Sequence, residues 1–580
     1  MFFQPRNPPV SLGAFFLLSN AALAARGGLC PPLGPVLPAP INPSSQDSVQ
    51  TAIQLTTDKF RNFTAAFNTT GVSIAVQSIH EINPMLELHH TPPILDNTST
   101  TVINSETIYR IGSISKVFAV LSVLTQGRMK MEDPITKYVP ELLQLRGEAV
   151  PVADDITAVS WDQVTVGSLT THMGGIAADL ANDLASYPID FTQFGFPQLT
   201  NSSKTGCGGV FSLPGCTRAE FFRDFGKRHP VYAPWTNPVY SNAAISILAF
   251  AVESATNMSY GAYVHKAILG PLGMTNTTIF NPPKERSWGF IPEGDIWFGS
   301  RLGYEDIAGG FYSNTKDLLA FGIGILQNRI LDPVTTRRWM KPLTSTSSPG
   351  LMLGGPWEIF RSDTVTKDGR LIEYYTKSGN LGSYNNILCL IPDYDLVITI
   401  LSGGGESSED MVEFALTDVV TAMLPAIEDA SKAQAEPSFG GTYSDAATNS
   451  SLTLSLDDGP GFAVSNWTVR DVDVIANYGA LGELSGGSAD MPVRVRLYPT
   501  NLASGNETAW RAVFTVGTAE QLAEGDAARF WPKGTCHTWA SMDRPTYGFK
   551  SIDEFIFTSS KGKADSLTLP IFDVKLQREA

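Results

Sequence analysis

The chain has 580 residues, a formal net charge of −16 and a hydrophobic fraction of 43%. This length allows two or three domains with a sizeable core, and the composition excludes a fibrous or disordered protein. The acidic balance argues against nucleic acid or an anionic membrane surface as a partner, because both require a basic protein surface.

The first segment of the chain has the pattern of a secretory signal peptide. Arg6 precedes an apolar run from Leu12 to Ala24, which ends in a small-x-small cleavage site. We therefore predict a signal peptide over residues 1–24 and a secreted, extracellular protein. A buried helix or a signal anchor is the alternative interpretation of this run. No other run reaches transmembrane length, so we predict no membrane span.

Sequons and cysteines agree with an oxidising secretory route. Cys207 and Cys216 bracket a Gly-rich loop, and we predict that they form a disulfide. Cys389 lies in an apolar strand and is predicted to be a buried free thiol, whereas a pairing of Cys30 with Cys536 is left open. No cysteine has zinc-ligand spacing and no histidine pairs in a ligand motif, so we predict neither a metal site nor a cofactor. N-glycosylation is predicted at Asn62, Asn68, Asn97, Asn201, Asn257, Asn276, Asn449, Asn466 and Asn506.

The elements in chain order predict a mixed α+β domain over residues 47–427, preceded by a Pro-rich leader over residues 25–46. We expect the leader to lie extended on the surface. Residues 176–235 read as irregular and are expected to form a wall of a substrate cleft. The other predicted elements are a helix over 48–67, strands over 72–76 and 86–88, helices over 117–124, 245–252 and 315–326, strands over 384–390 and 396–401, and a helix over 409–424.

The last part of the chain has a different pattern. Residues 428–438 are hydrophilic and are predicted to be a linker. From residue 439 to 580, short alternating runs are separated by Gly, Asn and Asp turns. This pattern predicts a smaller all-β domain, a sandwich or a barrel, which carries no obvious catalytic cluster.

The stretch Arg110–Phe118 contains a candidate nucleophile. An extended segment turns at Gly112 into an apolar helix, so Ser113 stands at a helix N-terminus, where backbone N–H groups favour developing negative charge. Lys116 lies one turn further on the same face. A hydroxyl beside an amine at such a position is a plausible activated nucleophile, although an isolated Ser-x-x-Lys is more often a capping serine followed by a surface lysine.

Two later motifs strengthen this hypothesis. Tyr240-Ser241-Asn242 opens an apolar helix, and Lys377-Ser378-Gly379 lies on an early strand of an antiparallel meander. With Ser113-x-x-Lys116, their order resembles the serine β-lactamase and penicillin-binding-protein family, whose motifs are S-x-x-K, S-D-N and K-T-G. The Tyr-x-Asn form is similar to the class C β-lactamase, D-aminopeptidase and esterase branch, here in an extended, secreted, fungal-type member. The resemblance covers roughly residues 50–425 and includes the flanking segments 169–175, 271–274 and 309–313.

Other copies of the motifs occur and are rejected on their position. Ser-x-x-Lys recurs at Ser313 and Ser560, a literal K-T-G begins at Lys204, and a literal Y-S-N begins at Tyr312. Lys204 precedes Tyr240 and sits in the Gly-rich Cys loop, not on a strand. Tyr312 lies where the family does not place its tyrosine.

The resemblance implies a β-lactamase/transpeptidase-like fold, with an antiparallel sheet flanked by helices plus an all-helical subdomain. It also implies roles for the site residues. Ser113 would attack a carbonyl, and Tyr240, helped by Lys116 and by the charge of Lys377, would take the serine proton. Asn242 would hydrogen-bond to the substrate and to Lys116. Lys377 and Ser378, beside Gly379, would bind a carboxylate or polar group of the substrate. The backbone N–H groups of Ser113 and Asn380 would form the oxyanion hole.

His172 has two interpretations. It stands beneath a Gly turn in the segment Leu169–Gly175 and is either catalytic or a structural histidine that satisfies buried backbone groups. The structural interpretation is favoured, because histidines beneath turns often serve this purpose.

Two classes of function follow. The first is a secreted serine hydrolase that acts through an acyl-enzyme on a small-molecule ester, amide or lactam, with an acyltransferase or transesterase as a variant that uses the same site. The second is a catalytically silent binding protein of the same fold. Three intact motifs favour the enzyme. The sequence leaves the natural substrate and the oligomeric state open.

Overall fold

The computed structural model describes residues 29–145, 156–180, 183–200, 204–208, 213–282, 285–483, 491–532 and 534–579. The predicted signal peptide and the sequon at Asn201 therefore lie outside the described residues. The chain folds into two compact units. The larger unit comprises Thr51–Arg361 and Glu373–Val420, and the smaller unit comprises the described parts of Met1–Gln50, Ser362–Ile372 and Thr421–Ala580.

An eight-stranded antiparallel sheet forms the centre of the larger unit. Its order is β2-β1-β10-β9-β8-β7-β6-β5, and β3 and β4 pair separately near the site. Strands β1, β9 and β10 are buried along their whole length, as expected for central strands that are covered on both faces. The bounds are β1 Gly71–Ser78, β2 Leu86–His90, β3 Tyr109–Arg110, β4 Tyr312–Ser313, β5 Thr344–Ser345, β6 Leu351–Leu353, β7 Glu358–Ser362, β8 Ile372–Leu381, β9 Tyr384–Ile391 and β10 Leu396–Gly403.

Helices precede, follow and interrupt these strands. The helices Ser115–Thr125 and Asn242–Thr256 of the site region are apolar around most of their circumference, and both are buried in the core for this reason. The bounds are α1 Asp47–Thr64, α2 Ser115–Thr125, α3 Glu141–Gln144, α4 Val166–Thr170, α5 Arg218–Phe225, α6 Asn242–Thr256, α7 Tyr260–Val264, α8 Gly270–Leu272, α9 Asp306–Gly309, α10 Thr315–Leu326, α11 Pro333–Trp339 and α12 Glu409–Phe439.

The smaller unit is built on a nine-stranded antiparallel sheet in the order β12-β11-β21-β20-β19-β16-β15-β13-β14. The additional pairing of β12 with β13 closes this sheet, so the unit is a barrel, and the prediction of an all-β C-terminal domain is confirmed. The bounds are β11 Gly441–Asp445, β12 Ser450–Ser455, β13 Phe462–Val469, β14 Val472–Asp473, β15 Val493–Ser504, β16 Glu507–Val516, β17 Thr546–Tyr547, β18 Lys550–Ser551, β19 Glu554–Ser560, β20 Lys563–Leu569 and β21 Val574–Arg578, with short helices α13 Val474–Glu483, α14 Ala519–Ala527 and α15 Thr538–Ser541.

The expectation of an extended surface leader is wrong. Leu37 is buried in the core of the smaller unit, and Val36 packs against Tyr498 and Val513. These apolar side chains bury because the barrel offers them an apolar surface, which the proline content of the leader does not reveal. The leader is therefore part of the smaller unit.

The expectation of a linker over residues 428–438 is also wrong. These residues continue helix α12, which runs without interruption from Glu409 to Phe439. The segment is hydrophilic, but it is rich in Ala, Glu, Lys and Gln, which favour helix. The low hydrophobicity of residues 428–438 therefore does not distinguish a linker from a helix.

Residues 176–235 are less irregular than expected. Helix α5 forms within them, and its start is closed by a capping box in which Thr217 and Glu220 each accept a hydrogen bond from the other's backbone N–H. This Thr-x-x-Glu pattern was present in the sequence as a helix-start signal.

The cysteines are paired as the sequence allowed. Disulfides join Cys207 to Cys216 and Cys30 to Cys536, and Cys389 is a buried free thiol. Among the described residues, no helix has the length and apolar character needed to cross a membrane.

Glycosylation stays a prediction. Among the sequon asparagines in the described part of the chain, Asn276 is half-buried and the other asparagines are exposed. The exposed ones are Asn62, Asn68, Asn97, Asn257, Asn449, Asn466 and Asn506.

Candidate active site

The candidate nucleophile lies at the turn between β3 and α2. Gly112 has a φ of +53°, a left-handed conformation that glycine adopts readily, and it starts a single 3₁₀ turn over Gly112–Ile114. The Ser115 hydroxyl donates to the Gly112 carbonyl at 2.6 Å and holds this turn. Ser113 therefore emerges at the start of a buried, apolar helix.

Lys116 is buried beneath Ser113. Its Nζ donates to Ser113 Oγ at 2.7 Å and to the carbonyl of Ala308, in α9, at 2.9 Å. Burial lowers the pKa of the Lys116 ammonium, and the charge of Lys377 acts in the same direction, so the net pKa is below its ordinary value. Lys116 is therefore an easier proton donor than a surface lysine.

Tyr240 is the second residue that contacts the Ser113 hydroxyl. Its hydroxyl donates to Ser113 Oγ at 2.6 Å, and the next residue, Ser241, caps helix α6 through a hydrogen bond from Ala244 N–H at 3.0 Å. The Nζ atoms of Lys116 and Lys377 lie 4.7 and 5.3 Å from the centroid of the Tyr240 ring. The structure thus brings one hydroxyl and two amines from three distant motifs to a single phenol.

The charges around Tyr240 change its acidity. Burial of the phenol would by itself raise the pKa of Tyr240, but the positive charges of Lys116 and Lys377 outweigh it, and the net pKa lies below the ordinary value. The hydrogen bonds that Tyr240 makes with Lys116 and Ser113 act in the same direction on this pKa. A phenolate is therefore more accessible here than in an isolated tyrosine, and the phenol suits a general base.

Lys377 has a carboxylate partner that the sequence did not single out. Glu358, on the neighbouring strand β7, forms an ion pair with Lys377 Nζ and accepts hydrogen bonds from Ser378 N–H at 2.8 Å and Ser378 Oγ at 2.9 Å. Burial lowers the pKa of Lys377, but Glu358 and Tyr240 raise it more, so the net pKa is above its ordinary value. Lys377 is therefore a fixed positive charge, and a substrate carboxylate would compete with Glu358 for it.

Two glycines let strand β8 approach the nucleophile turn. A Cβ at Gly379 would lie 2.1 Å from the Ile111 carbonyl oxygen and 3.0 Å from Ser113 N, and a Cβ at Gly112 would lie 2.6 Å from Asn380 N. Only residues without a side chain permit this approach. The backbone amides of Ser113 and Asn380 therefore belong to two segments in direct contact.

Asn242 does not take the position expected for it. Its Nδ2 donates to Asp179 Oδ2 at 3.1 Å, whereas Lys116 Nζ donates to Ser113 Oγ and to the Ala308 carbonyl and also contacts Tyr240. The expected hydrogen bond between Asn242 and Lys116 is thus corrected. The carbonyl of Ala308 accepts a hydrogen bond from Lys116 Nζ instead.

A further buried acid lies behind this network. Glu305 is buried, and burial together with the nearby charge of Asp179 raises its pKa to about 8. Its Oε1 accepts a hydrogen bond from Tyr304 Oη at 2.7 Å. The sequence offered no signal for Asp179, Glu305 or Glu358, because none belongs to a motif and their place at the site depends on groups distant in the chain.

His172 lies against the candidate base. Its ring centroid is 4.8 Å from that of Tyr240, and its Nδ1 accepts a hydrogen bond from Ser241 N–H at 3.2 Å. Burial and the charges of Lys116 and Lys377 lower its pKa to about 3, so the imidazole is neutral at physiological pH. His172 therefore positions Tyr240, which agrees with the structural interpretation.

The rejected copies of the motifs lie in other environments. Lys316 is exposed and forms an ion pair with Glu106, and Ser560 and Lys563 face each other across the β19–β20 hairpin. The Tyr312 hydroxyl is bound to Arg110 Nη1 at 2.6 Å. None of these residues repeats the contacts of Ser113.

No metal centre is evident in the described ranges, where no three His, Cys, Asp or Glu side chains are grouped as ligands would be. The carboxylates near the site are engaged by other groups, Glu358 by Lys377 and Asp179 by Asn242. The arrangement offers a hydroxyl nucleophile, a phenol with a lowered pKa and two amines.

Comparison with known proteins agrees with this chemistry. A family model described as beta-lactamase matches residues 93–421, and one described as "Beta-lactamase-like-like, C-terminal domain" matches residues 431–580. A protein named beta-lactamase-like protein from Arthroderma benhamiae is 27% identical over 594 residues, which cover 96% of this chain and 97% of that one.

Two further relatives carry the names of hydrolytic enzymes. The probable hydrolase clz13 of Cochliobolus lunatus is 24% identical over 605 residues, covering 95% of this chain and 91% of the relative. A putative D-alanyl-D-alanine carboxypeptidase of Salmonella agona is 22% identical over 374 residues, which cover 58% of this chain and 76% of the relative. Since the beta-lactamase model spans more than half of the chain and includes all three motifs of the site, the protein belongs to the beta-lactamase family of serine hydrolases.

Proposed function

We propose that this member of the family is a secreted hydrolase that cleaves ester, amide or lactam bonds through an acyl-enzyme on Ser113. One observation carries the proposal. The Tyr240 hydroxyl and Lys116 Nζ lie 2.6 and 2.7 Å from Ser113 Oγ, within hydrogen-bond reach of the proton that must leave.

Acylation begins when Tyr240, as phenolate, takes the Ser113 proton. Ser113 Oγ then attacks the substrate carbonyl carbon, and the carbonyl oxygen becomes an oxyanion that accepts hydrogen bonds from the backbone amides of Ser113 and Asn380. Tyr240 passes its proton to the leaving group as the scissile bond breaks. The close approach at Gly112 and Gly379 supports this oxyanion site.

Deacylation repeats the same proton path with water. Tyr240 takes a proton from a water molecule, which attacks the acyl carbon, and the proton returns to Ser113 Oγ as the ester breaks. Lys116 and Lys377 keep Tyr240 acidic enough to accept and release protons in both halves. Because Glu358 already engages Lys377 and Ser378, Lys377 acts on catalysis mainly through its charge on Tyr240, and a substrate carboxylate would have to compete with Glu358.

The test is covalent labelling of the mature protein. An activated-ester or phosphonate probe is expected to add one adduct, detected by mass spectrometry on Ser113, and Ser113→Ala is expected to abolish it. Tyr240→Phe is expected to slow labelling by about 100-fold or more, because general base catalysis contributes on this scale. The exposed motif copy gives a matched control, so Ser560→Ala leaves labelling unchanged. An adduct that persists in Ser113→Ala, or an unlabelled wild type, contradicts the proposal.

A further inference from the structure

One aromatic residue near the site has an uncommon backbone conformation. Trp235 has a φ of +65°, in the left-handed region that bulky residues rarely adopt, and the residue is 51% exposed. Its backbone N–H donates to the Met173 carbonyl at 2.7 Å. An indole is thus held in an unfavourable conformation and left facing solvent, where burial does not compensate for the strain.

The segment that carries Trp235 is fixed to the segment that carries His172. Val231 N–H donates to the Gly175 carbonyl at 2.8 Å, and Val239 N–H donates to the His172 carbonyl at 2.8 Å. A Cβ at Gly175 would lie 2.1 Å from the Tyr232 carbonyl oxygen, so the two backbones touch. Backbone hydrogen bonds therefore define the place of Trp235.

This fixed segment leads directly to the candidate base. His172 is in ring contact with Tyr240, and Trp235 is hydrogen-bonded to the residue after His172 and precedes Tyr240 by five positions. Tyr240 is 44% exposed, so part of this residue is accessible to a substrate, although its hydroxyl lies beside Ser113. Backbone hydrogen bonds therefore hold the exposed Trp235 next to the segment whose His172 packs against Tyr240.

We infer that Trp235 is a specificity-determining residue that binds a planar aromatic or bulky apolar group of the substrate beside Tyr240. This inference rests on the proposed function and adds the substrate class. An exposed indole gains apolar contact when such a group covers it, and a residue held in place before binding loses little freedom on binding. Charged or small substrates would gain nothing from this surface.

The experiment compares three thioesters that differ in whether they carry a phenyl ring and on which side of the scissile bond it lies. S-Ethyl thioacetate has no ring, S-ethyl phenylthioacetate has it on the acyl side, and S-phenyl thioacetate has it on the leaving group. The released thiol is measured. We expect Trp235→Ala to lower kcat/KM for at least one aromatic thioester by about 10- to 100-fold, the range for loss of one buried apolar contact. For S-ethyl thioacetate we expect less than about a threefold change, and we expect the loss to appear mainly in KM.

Three further variants separate the ring from the backbone. Trp235→Phe keeps an aromatic surface and is expected to restore most of the preference. Trp235→Gly removes the ring and relieves the left-handed strain, and it is expected to lose the preference as Trp235→Ala does. Trp288→Ala removes another half-exposed tryptophan of the larger unit and is expected to change nothing.

The outcomes distinguish this inference from the proposed function. Equal losses for all three thioesters, or an unchanged preference in Trp235→Ala, overturn the role of Trp235 while the hydrolase stands. A wild type that cleaves none of the thioesters and acquires no adduct on Ser113 overturns both. Adduct formation on Ser113 in Trp235→Gly at the wild-type rate with a small activated acetyl ester shows that the catalytic groups remain intact, as the inference requires.

Discussion

Tyr240 is the residue on which the electrostatics of the site converge. Its phenol faces two amines of different character, since Lys116 has a lowered pKa and Lys377, paired with Glu358, has a raised pKa. Lys377 therefore stays charged over the working range and supplies a constant field, whereas Lys116 contacts Ser113 and can exchange a proton. A single substitution can remove the field without removing a group that touches Ser113.

We predict that Lys377→Gln shifts the pH dependence of kcat/KM. The base must be unprotonated, so the rate below its pKa follows the phenolate fraction. Loss of the Lys377 charge raises the pKa of Tyr240, which moves the acidic limb to higher pH and lowers activity at neutral pH by about 10- to 100-fold. Lys377→Arg keeps the charge and should hold the limb near its wild-type position. An unmoved limb in Lys377→Gln would show that the charge does not act on Tyr240.

At the scale of elements, the site depends on the contact of one strand with one turn. Strand β8 meets the 3₁₀ turn Gly112–Ile114 with no room for a side chain at either glycine. The sheet positions β8 through its pairing with β9, in which Gly379 is opposite Asn386. Asn386 in turn donates from Nδ2 to the Arg110 and Gly379 carbonyls, both at 3.0 Å, and so joins the strand to the chain that leads into the turn.

We predict that Gly379→Ala impairs catalysis without unfolding the protein. Its Cβ would meet the Ile111 carbonyl oxygen at 2.1 Å, so the turn and the strand must separate. This displaces the amides of Ser113 and Asn380, and loss of one oxyanion donor costs about 10²–10³ in kcat. The measurement is kcat for an activated ester alongside far-UV circular dichroism. Gly206→Ala is the matched control, because a Cβ there meets nothing within 4 Å. Wild-type kcat in Gly379→Ala would refute the prediction.

At the scale of the whole molecule, the disulfides constrain very different lengths of chain. Cys30 and Cys536 are separated by 506 residues, whereas Cys207 and Cys216 are separated by 9. A crosslink restricts the unfolded chain more when it closes a longer loop. The long-range disulfide lies in the smaller unit, whose core also buries Leu37 of the leader.

We predict that the double variant Cys30→Ser, Cys536→Ser destabilises the protein more than Cys207→Ser, Cys216→Ser. In the loop-entropy account the long-range crosslink contributes about 5–6 kcal/mol to the free energy of unfolding, and the short one about 2–3 kcal/mol. Urea denaturation followed by tryptophan fluorescence measures the loss in each double variant, and the buried Trp467 and Trp510 of the barrel contribute to this signal. A larger destabilisation from the short loop would contradict this account.

Many helices and strands could be predicted from the sequence because they depend on local patterns of apolar residues. Alternating apolar runs predicted the C-terminal strands, and the apolar runs after Ser113 and Tyr240 predicted buried helices that the structure contains. The order of the three motifs indicated the family and selected Ser113, Lys116, Tyr240 and Lys377, which lie together in the fold. Their catalytic roles stay predictions until the labelling and kinetic tests are done.

Only the tertiary structure decided the partners of these residues. Glu358 meets Lys377 because β7 lies beside β8, and Asp179 meets Asn242 across a long stretch of chain, so neither pair leaves a periodic or spaced signal. Leu37 of the leader is buried because the core of the smaller unit receives it. Periodicity records which face of an element is apolar, whereas charge pairing, burial and pKa depend on distances that exist only after the chain has folded.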